Sequence, residues 1–270
     1  MRDVNKIVLR GVVSDAPRTR VFEDGRKLVS LNVKTVTLED EAEGKVRERQ
    51  AWHTVAVSGD RNVETAERLV PDSPVYVEGR LRTRKYRNQE GEDMTFTEVR
   101  ADIVRETENA GPEQPQINRS IVLGNVGRTP ELRSTQYGPV MNFSVATTES
   151  WSRRDGERGE ETEWHRIVVW GTPAERLEGQ IEKGQRVLVE GRLRSSSYTD
   201  RNGRKRRSVE TDARAVLGSG NSRRSGYEPA SRAPAGGSKS DTGFGGAQQQ
   251  PDAWGSSGVN TGDDGDDVPF

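Results

Sequence analysis

Val75-Tyr76-Val77-Glu78-Gly79-Arg80-Leu81-Arg82 returns later in the chain as Val187-Leu188-Val189-Glu190-Gly191-Arg192-Leu193-Arg194. Apolar and polar residues alternate over much of each stretch, the period of a half-buried strand. Working outward in the same register, Trp52-His53 matches Trp164-His165, Gly59 matches Gly171, Tyr86 matches Tyr198 and Gly91 matches Gly203. Near the start of each unit Val4-Asn5-Lys6 answers Ile117-Asn118-Arg119, and Gly11 answers Gly124. An offset of 112 residues from Trp52 to Gly91, and of 113 at the start of each unit, is a register kept over a domain with a single one-residue step, which marks a duplication. The chain divides into two copies of one domain, residues 1–107 and 117–217, with a linker at 108–116.

The second copy places its alternating runs at Ile121–Val126, Val140–Thr147, Trp164–Trp170, Val187–Leu193 and Val209–Val216. Tyr137-Gly138-Pro139 and Asp200-Arg201-Asn202-Gly203 read as hairpin turns. Pro173 through Ile181 breaks the alternation with apolar residues at helical intervals; it opens on Thr172-Pro173 and ends near Gly184. Asn62 to Leu69 does the same in the first copy. Five strands with one helix between the third and fourth is the order of an OB-fold, a small Greek-key barrel. An SH3-like barrel lacks the helix, and an immunoglobulin-like sandwich needs about seven strands. The expected fold class is all-β, with two tandem OB barrels and one short helix in each.

Only 30% of residues are hydrophobic and 31% are charged, so part of the chain cannot bury a core. The shortage is local: residues 218–262 are Gly, Ser, Ala, Pro and Gln with scattered charge, the composition of a disordered linker. The absence of cysteine excludes disulfides and thiolate chemistry and suits a reducing compartment. No apolar run approaches the roughly 20 residues of a membrane helix. The first residues run straight into a strand-like segment, so no signal peptide is expected and the expected location is the cytoplasm. A net charge of −1 by itself argues against a nucleic-acid binder. Charge placement answers that, because four aspartates crowd the last eight residues while bases cluster elsewhere.

Single-stranded nucleic acid is held by aromatic faces on which bases stack and by a basic groove along the phosphates. Trp151, Trp164, Trp170 and Tyr198 supply the faces in the second copy; Trp52 and Tyr86 supply them in the first. Trp164 and Trp170 are an even number of residues apart and share one strand face with Arg166 and Val168, a track about 20 Å long. The bland alternative is that the tryptophans fill a core, but Val, Ile and Leu already occupy the alternating core positions. Arg82, Arg84, Lys85 and Arg87 flank Tyr86, and the run Arg201–Arg207, with Arg204, Lys205 and Arg206, follows Tyr198. A basic run is often only a solvated face. Repetition beside an aromatic favours phosphate contact, to which Arg166 and Arg194 would add.

No enzyme is expected. The two histidines have no recurring Ser, Asp or Glu partner, and no P-loop or metal-spaced cluster is present, so neither metal nor cofactor is implied. Glu160-Glu161 and Glu163 read as solvent-facing residues ahead of a strand.

Thr147-Thr148-Glu149-Ser150-Trp151, then Glu161-Thr162-Glu163-Trp164-His165-Arg166-Ile167-Val168-Val169-Trp170-Gly171, then Val189-Glu190-Gly191-Arg192-Leu193-Arg194, resemble the core signature of the bacterial single-stranded DNA-binding protein family. Ile117-Asn118-Arg119 with Gly124-Asn125-Val126-Gly127 resembles its opening. The resemblance implies base stacking at Trp151, Trp164, Trp170 and Tyr198. The first copy departs from it: Leu38–Glu39 stands at the match to Trp151 and Ser58 at the match to Trp170, which leaves Trp52 and Tyr86. The two copies are therefore expected to contribute unequally. The family usually places four OB domains in one assembly, which implies a homodimer here. His53 and His165 match a family position near the subunit interface, and a packed structural histidine is expected there in place of any chemistry.

The chain ends Asp263-Asp264-Gly265-Asp266-Asp267-Val268-Pro269-Phe270. A terminal Phe that carries the α-carboxylate suits an apolar pocket rimmed by Lys or Arg. Asp266, Asp267, Val268, Pro269 and Phe270 resemble the family's terminal motif, which implies replication, recombination and repair enzymes as partners. Two alternatives remain open at this level. One is a primosome-type OB assembly protein, expected to lack the acidic tip. The other is an RNA-binding OB chaperone, since stacking and phosphate contact do not reject a 2′-hydroxyl.

Overall fold

The computed structural model describes residues 2–40, 46–87, 91, 93–107, 116–152, 156–199 and 205–218. The linker from 108 to 115, the turn at 200–203, Arg204, and all of the tail and tip beyond Gly218 lie outside the described residues.

The first unit runs β1 (Val4–Val13), β2 (Arg18–Val21), β3 (Lys27–Asp40), β4 (Val46–Val57), α1 (Asp60–Arg68), β5 (Pro74–Arg87) and β6 (Asp93–Glu106). The second repeats it as β7 (Ile117–Val126), β8 (Glu131–Thr135), β9 (Gly138–Ser152), β10 (Arg158–Trp170), α2 (Thr172–Leu177), β11 (Arg186–Thr199) and β12 (Lys205–Gly218). Each unit closes into a barrel. In the first, β3, β4, β6, β5 and β1 pair in turn, and β1 pairs back onto β3 at Val12↔Lys34 and Val13↔Val33. In the second, β7 closes onto β9 at Asn125↔Ala146 and Val126↔Val145. These are two OB barrels, mostly strand, as the alternating runs require.

The repeated glycines mark the places where strands cross too closely for a side chain. A Cβ on Gly11 would overlap the carbonyl oxygen of Lys34 and one on Gly124 that of Ala146, so barrel closure needs glycine at both. Gly79 and Gly191 sit at the bulges where β5 and β11 shift register against β6 and β12.

Two expectations are corrected. Each barrel has a further short strand, β2 or β8, hairpin-paired to the strand that follows. All four residues of β2 are exposed, so it carries no alternating apolar signal. The second helix ends at Leu177 instead of reaching Ile181. Glu178 turns to extended backbone and Gly179 takes φ +70, which ends the helix, yet Ile181 still reaches the core.

Each barrel has its own core: Ile7, Leu9, Leu31, Val33, Val55 and Val77 lie in the first, and Val122, Phe143, Val145, Ile167 and Val189 in the second. The barrels join through β1 and β7, which pair antiparallel from Val4↔Leu123 to Arg10↔Ile117. The pairing centres on Ile7↔Ser120, two matching positions of the repeat, so the junction is a two-fold contact inside one chain. Among the described residues, all twelve strands thus form one continuous sheet. Leu193 of the second barrel is buried in the first core, with Val209 packed against it. Full burial of such a leucine is worth about 1.5–3 kcal/mol.

Candidate nucleic-acid interface

Alternation along β10 decides what faces inward. Glu163, His165, Ile167 and Val169 are buried, while Trp164 and Arg166 point out, with Trp164 52% exposed. Trp170 lies half-buried at the strand's end, opposite Val140. Val168 shares the outer face yet is buried, where β10 pairs with β12. The open track between the two indoles is therefore interrupted at Val168.

The second barrel seats its indoles on glycine. A Cβ on Gly127 would come within 2.6 Å of the Trp164 ring, and one on Gly159 within 2.5 Å of the Trp151 ring. Each ring therefore lies against bare backbone with much of its surface open to solvent. Trp151 reaches this position because the β9–β10 hairpin pairs as far as Arg158↔Ser152, with Trp151 opposite Gly159. In the first barrel, Ser14 and Arg47 occupy the positions matching these two glycines. Trp52 is 46% exposed, and the Lys34 ammonium lies 5.8 Å from its ring centroid. Tyr86 is half-buried on β5. Tyr198 is placed on β11, opposite Arg206, by backbone register.

The basic residues fare differently from one another. Arg82 is almost enclosed, its side chain 10% exposed, and bonds Glu149 at 3.0 Å and Glu161 at 2.8 Å across the barrel junction. The expectation that it meets phosphate gives way to an inter-barrel ion pair, since a charge so enclosed and doubly matched is not presented to solvent. Arg84 pairs with the buried Glu98 at 2.8 Å. Burial pushes the Glu98 carboxyl up, against the nearby charges of Arg84 and Arg100. Lys85 and Arg87 are exposed on β5. Arg166 donates to Ser208 Oγ at 2.7 Å, and Arg194 is half-buried within the field of Glu210. Lys205 and Arg206 open β12, while Arg204 precedes it outside the described residues.

Glu160, Glu161 and Glu163, read from the sequence as solvent-facing residues ahead of a strand, lie within β10 itself; Glu160 and Glu161 are exposed, whereas Glu163 is buried, accepting the Thr83 backbone N–H at 2.9 Å. Glu149 takes Arg80 as well as Arg82, and the Arg80 hydrogen bond holds its carboxyl below the usual carboxylate range. These partners lie far apart in sequence, so no local pattern announces them. Arg207 crosses the junction the other way, donating to the Trp52 carbonyl oxygen at 3.3 Å.

The histidines are packed side chains. His53 Nε2 meets Thr35 Oγ1 at 2.9 Å and His165 Nε2 meets Thr147 Oγ1 at 2.8 Å, the same contact in both barrels. Burial pushes His53 down to about 3, helped by the Arg207 charge, and His165 down to about 4. Both are neutral at physiological pH.

The Single-strand binding protein family model matches residues 4–106 and again residues 117–217. The single-stranded DNA-binding protein of Deinococcus radiodurans is 30% identical over 251 residues, covering 86% of this chain and 82% of that protein. That of Thermus aquaticus is 29% identical over 224 residues, covering 78% and 83%. The crystal structure of the wild-type Thermus aquaticus protein aligns with a TM-score of 0.64 over 88% of this chain and 98% of its own, at 24% identity, a likeness of fold. With one match on each barrel and a relative aligned through both, the chain belongs to the Single-strand binding protein family.

Proposed function

We propose that this chain binds single-stranded DNA without sequence preference, stacking bases on Trp151, Trp164, Trp170 and Tyr198 and drawing phosphates to the outward cations. The observation that carries the reading is the seating of Trp151 and Trp164 on Gly159 and Gly127, which leaves ring surface open on a charged exterior. Exposed indoles cost hydration free energy, and base stacking recovers it at about 1–3 kcal/mol per base. Trp52 and Tyr86 offer a smaller surface on the first barrel. Bound strands would be shielded from other chemistry. The terminal Asp266-Asp267-Val268-Pro269-Phe270 would bring replication, recombination and repair enzymes to them. Two chains would assemble four barrels as a homodimer in the cytoplasm.

Tryptophan fluorescence, titrated with single-stranded DNA, duplex DNA and RNA of equal length, tests the reading. Strong quenching by single-stranded DNA that weakens with rising salt is expected, because phosphate contacts release counterions. Equal affinity for duplex, or preference for RNA, would overturn it.

A further inference from the structure

Glu149 and Glu161 face each other directly across β9 and β10, a like-charge pair that opposes hairpin formation. Arg82, from the other barrel, inserts one guanidinium nitrogen toward each. Arg80 binds Glu149 with one nitrogen and its own barrel's Asp102 with the other, the latter at 2.8 Å. The Thr83 N–H bonded to Glu163 adds a third rung. Three residues of β5, Arg80, Arg82 and Thr83, hold one flank of the hairpin. Trp151 lies two residues beyond Glu149, on the same strand face.

Among the described residues the arginine–carboxylate clamp is one-sided. The two-fold at the junction would set Arg192, Arg194 and Ser195 against the first barrel's β3–β4 hairpin. There Thr37, Arg49 and Ala51 stand where Glu149, Glu161 and Glu163 stand in the second barrel. Arg192 instead pairs with Asp212 of its own barrel at 2.8 Å. The β3–β4 hairpin carries Leu38 and Glu39 where the other carries Trp151. The hairpin held through carboxylates is the one that carries Trp151; the first barrel's β4, with Trp52, is met from across the junction by Arg207 at the Trp52 carbonyl oxygen instead.

We propose that Arg80 and Arg82 of the first barrel are positioning residues for nucleic-acid binding by the second. They neutralise Glu149 and Glu161 and so hold the β9–β10 hairpin with Trp151 in its binding orientation. This rests on the single-stranded DNA reading above. It gives the aromatic-poor barrel a definite task, since its β5 strand braces its neighbour's stacking surface.

The test is a double-mutant cycle in the full chain, read by anisotropy of a labelled single-stranded oligonucleotide. Arg82→Gln, and separately Arg80→Gln should Arg82→Gln not fold, are made in the native and the Trp151→Ala backgrounds. In the native background each is expected to weaken binding, roughly tenfold for Arg82→Gln. In the Trp151→Ala background the further loss should be under about twofold. Equal losses in both backgrounds would mean a direct phosphate contact or general destabilisation, and would overturn the proposal. No loss, or tighter binding from released cations, would also overturn it. Hydrogen exchange separates the brace from the binding reading. Arg82→Gln should speed exchange in 149–152 and 156–161 and leave the β7–β9 closure protected. If native protein ignores single-stranded DNA, the function is wrong; if exchange in the hairpin is unchanged, the brace is wrong.

Discussion

The two barrels share a fold, a closing glycine, a histidine–threonine contact and a bulged β-strand, yet they present different surfaces. The second seats Trp151 and Trp164 on glycine, while the first has Ser14 and Arg47 at those positions and a lysine beside Trp52. The closing glycines match because a small barrel has no room for a side chain where its strands cross, whereas the outward faces differ because barrel closure does not constrain them. Stability and recognition are therefore separable in this chain, and substitutions at matched positions distinguish them.

The largest effect is expected at the closing glycines. Gly11→Ala and Gly124→Ala each force a Cβ into a facing carbonyl, which should destabilise the affected barrel by about 3 kcal/mol or more. Calorimetry should show similar costs for the two, whereas DNA affinity should suffer more from Gly124→Ala. Equal loss of affinity would break the proposed asymmetry.

Removal of a platform comes next. Trp164→Ala should weaken single-stranded DNA binding by about 1–3 kcal/mol, and Trp52→Ala by less, as read by titration at fixed salt. If Trp52→Ala costs as much as Trp164→Ala, the first barrel is a full partner in binding.

Acid should act on the shared feature. Both histidines are held below their ordinary value of 6.5, to about 3 for His53 and about 4 for His165. The unfolded chain then binds more protons, so this contribution is complete above pH 6.5 and is lost as pH falls toward the folded values. Each histidine should cost about 1 kcal/mol per pH unit within its window. His53→Gln and His165→Gln should each flatten the dependence of the melting temperature between pH 7 and 4. An unchanged slope in both would refute burial as the cause.

The smallest effect concerns Lys34. If its ammonium merely stacks on Trp52, Lys34→Gln should change stability by about 0.5–1 kcal/mol and leave DNA affinity nearly untouched. A large loss of affinity would make Lys34 a phosphate ligand.

Much of this was legible in the residues themselves. The repeat, the strand alternation, the helix position and the aromatic candidates follow from local spacing, because a period of two or 3.6 residues reports which side of an element is buried. Gly11, Gly79, Gly124 and Gly191 were visible as repeated, though only the crossing strands explain why they must be glycine. The short strand β2 was not legible, since an exposed edge strand has no apolar face to reveal it. The roles of Arg80, Arg82, Glu149, Glu161 and Glu163 were hidden for a different reason. Charge pairing depends on distance in space, and these partners are brought together only when β1 meets β7 and turns one barrel's β5 toward the other's β9–β10 hairpin. An arginine in a basic run looks the same in sequence whether it faces solvent or a pair of carboxylates. Local chemistry determined the two barrels; the junction between them decided which cations remain outside.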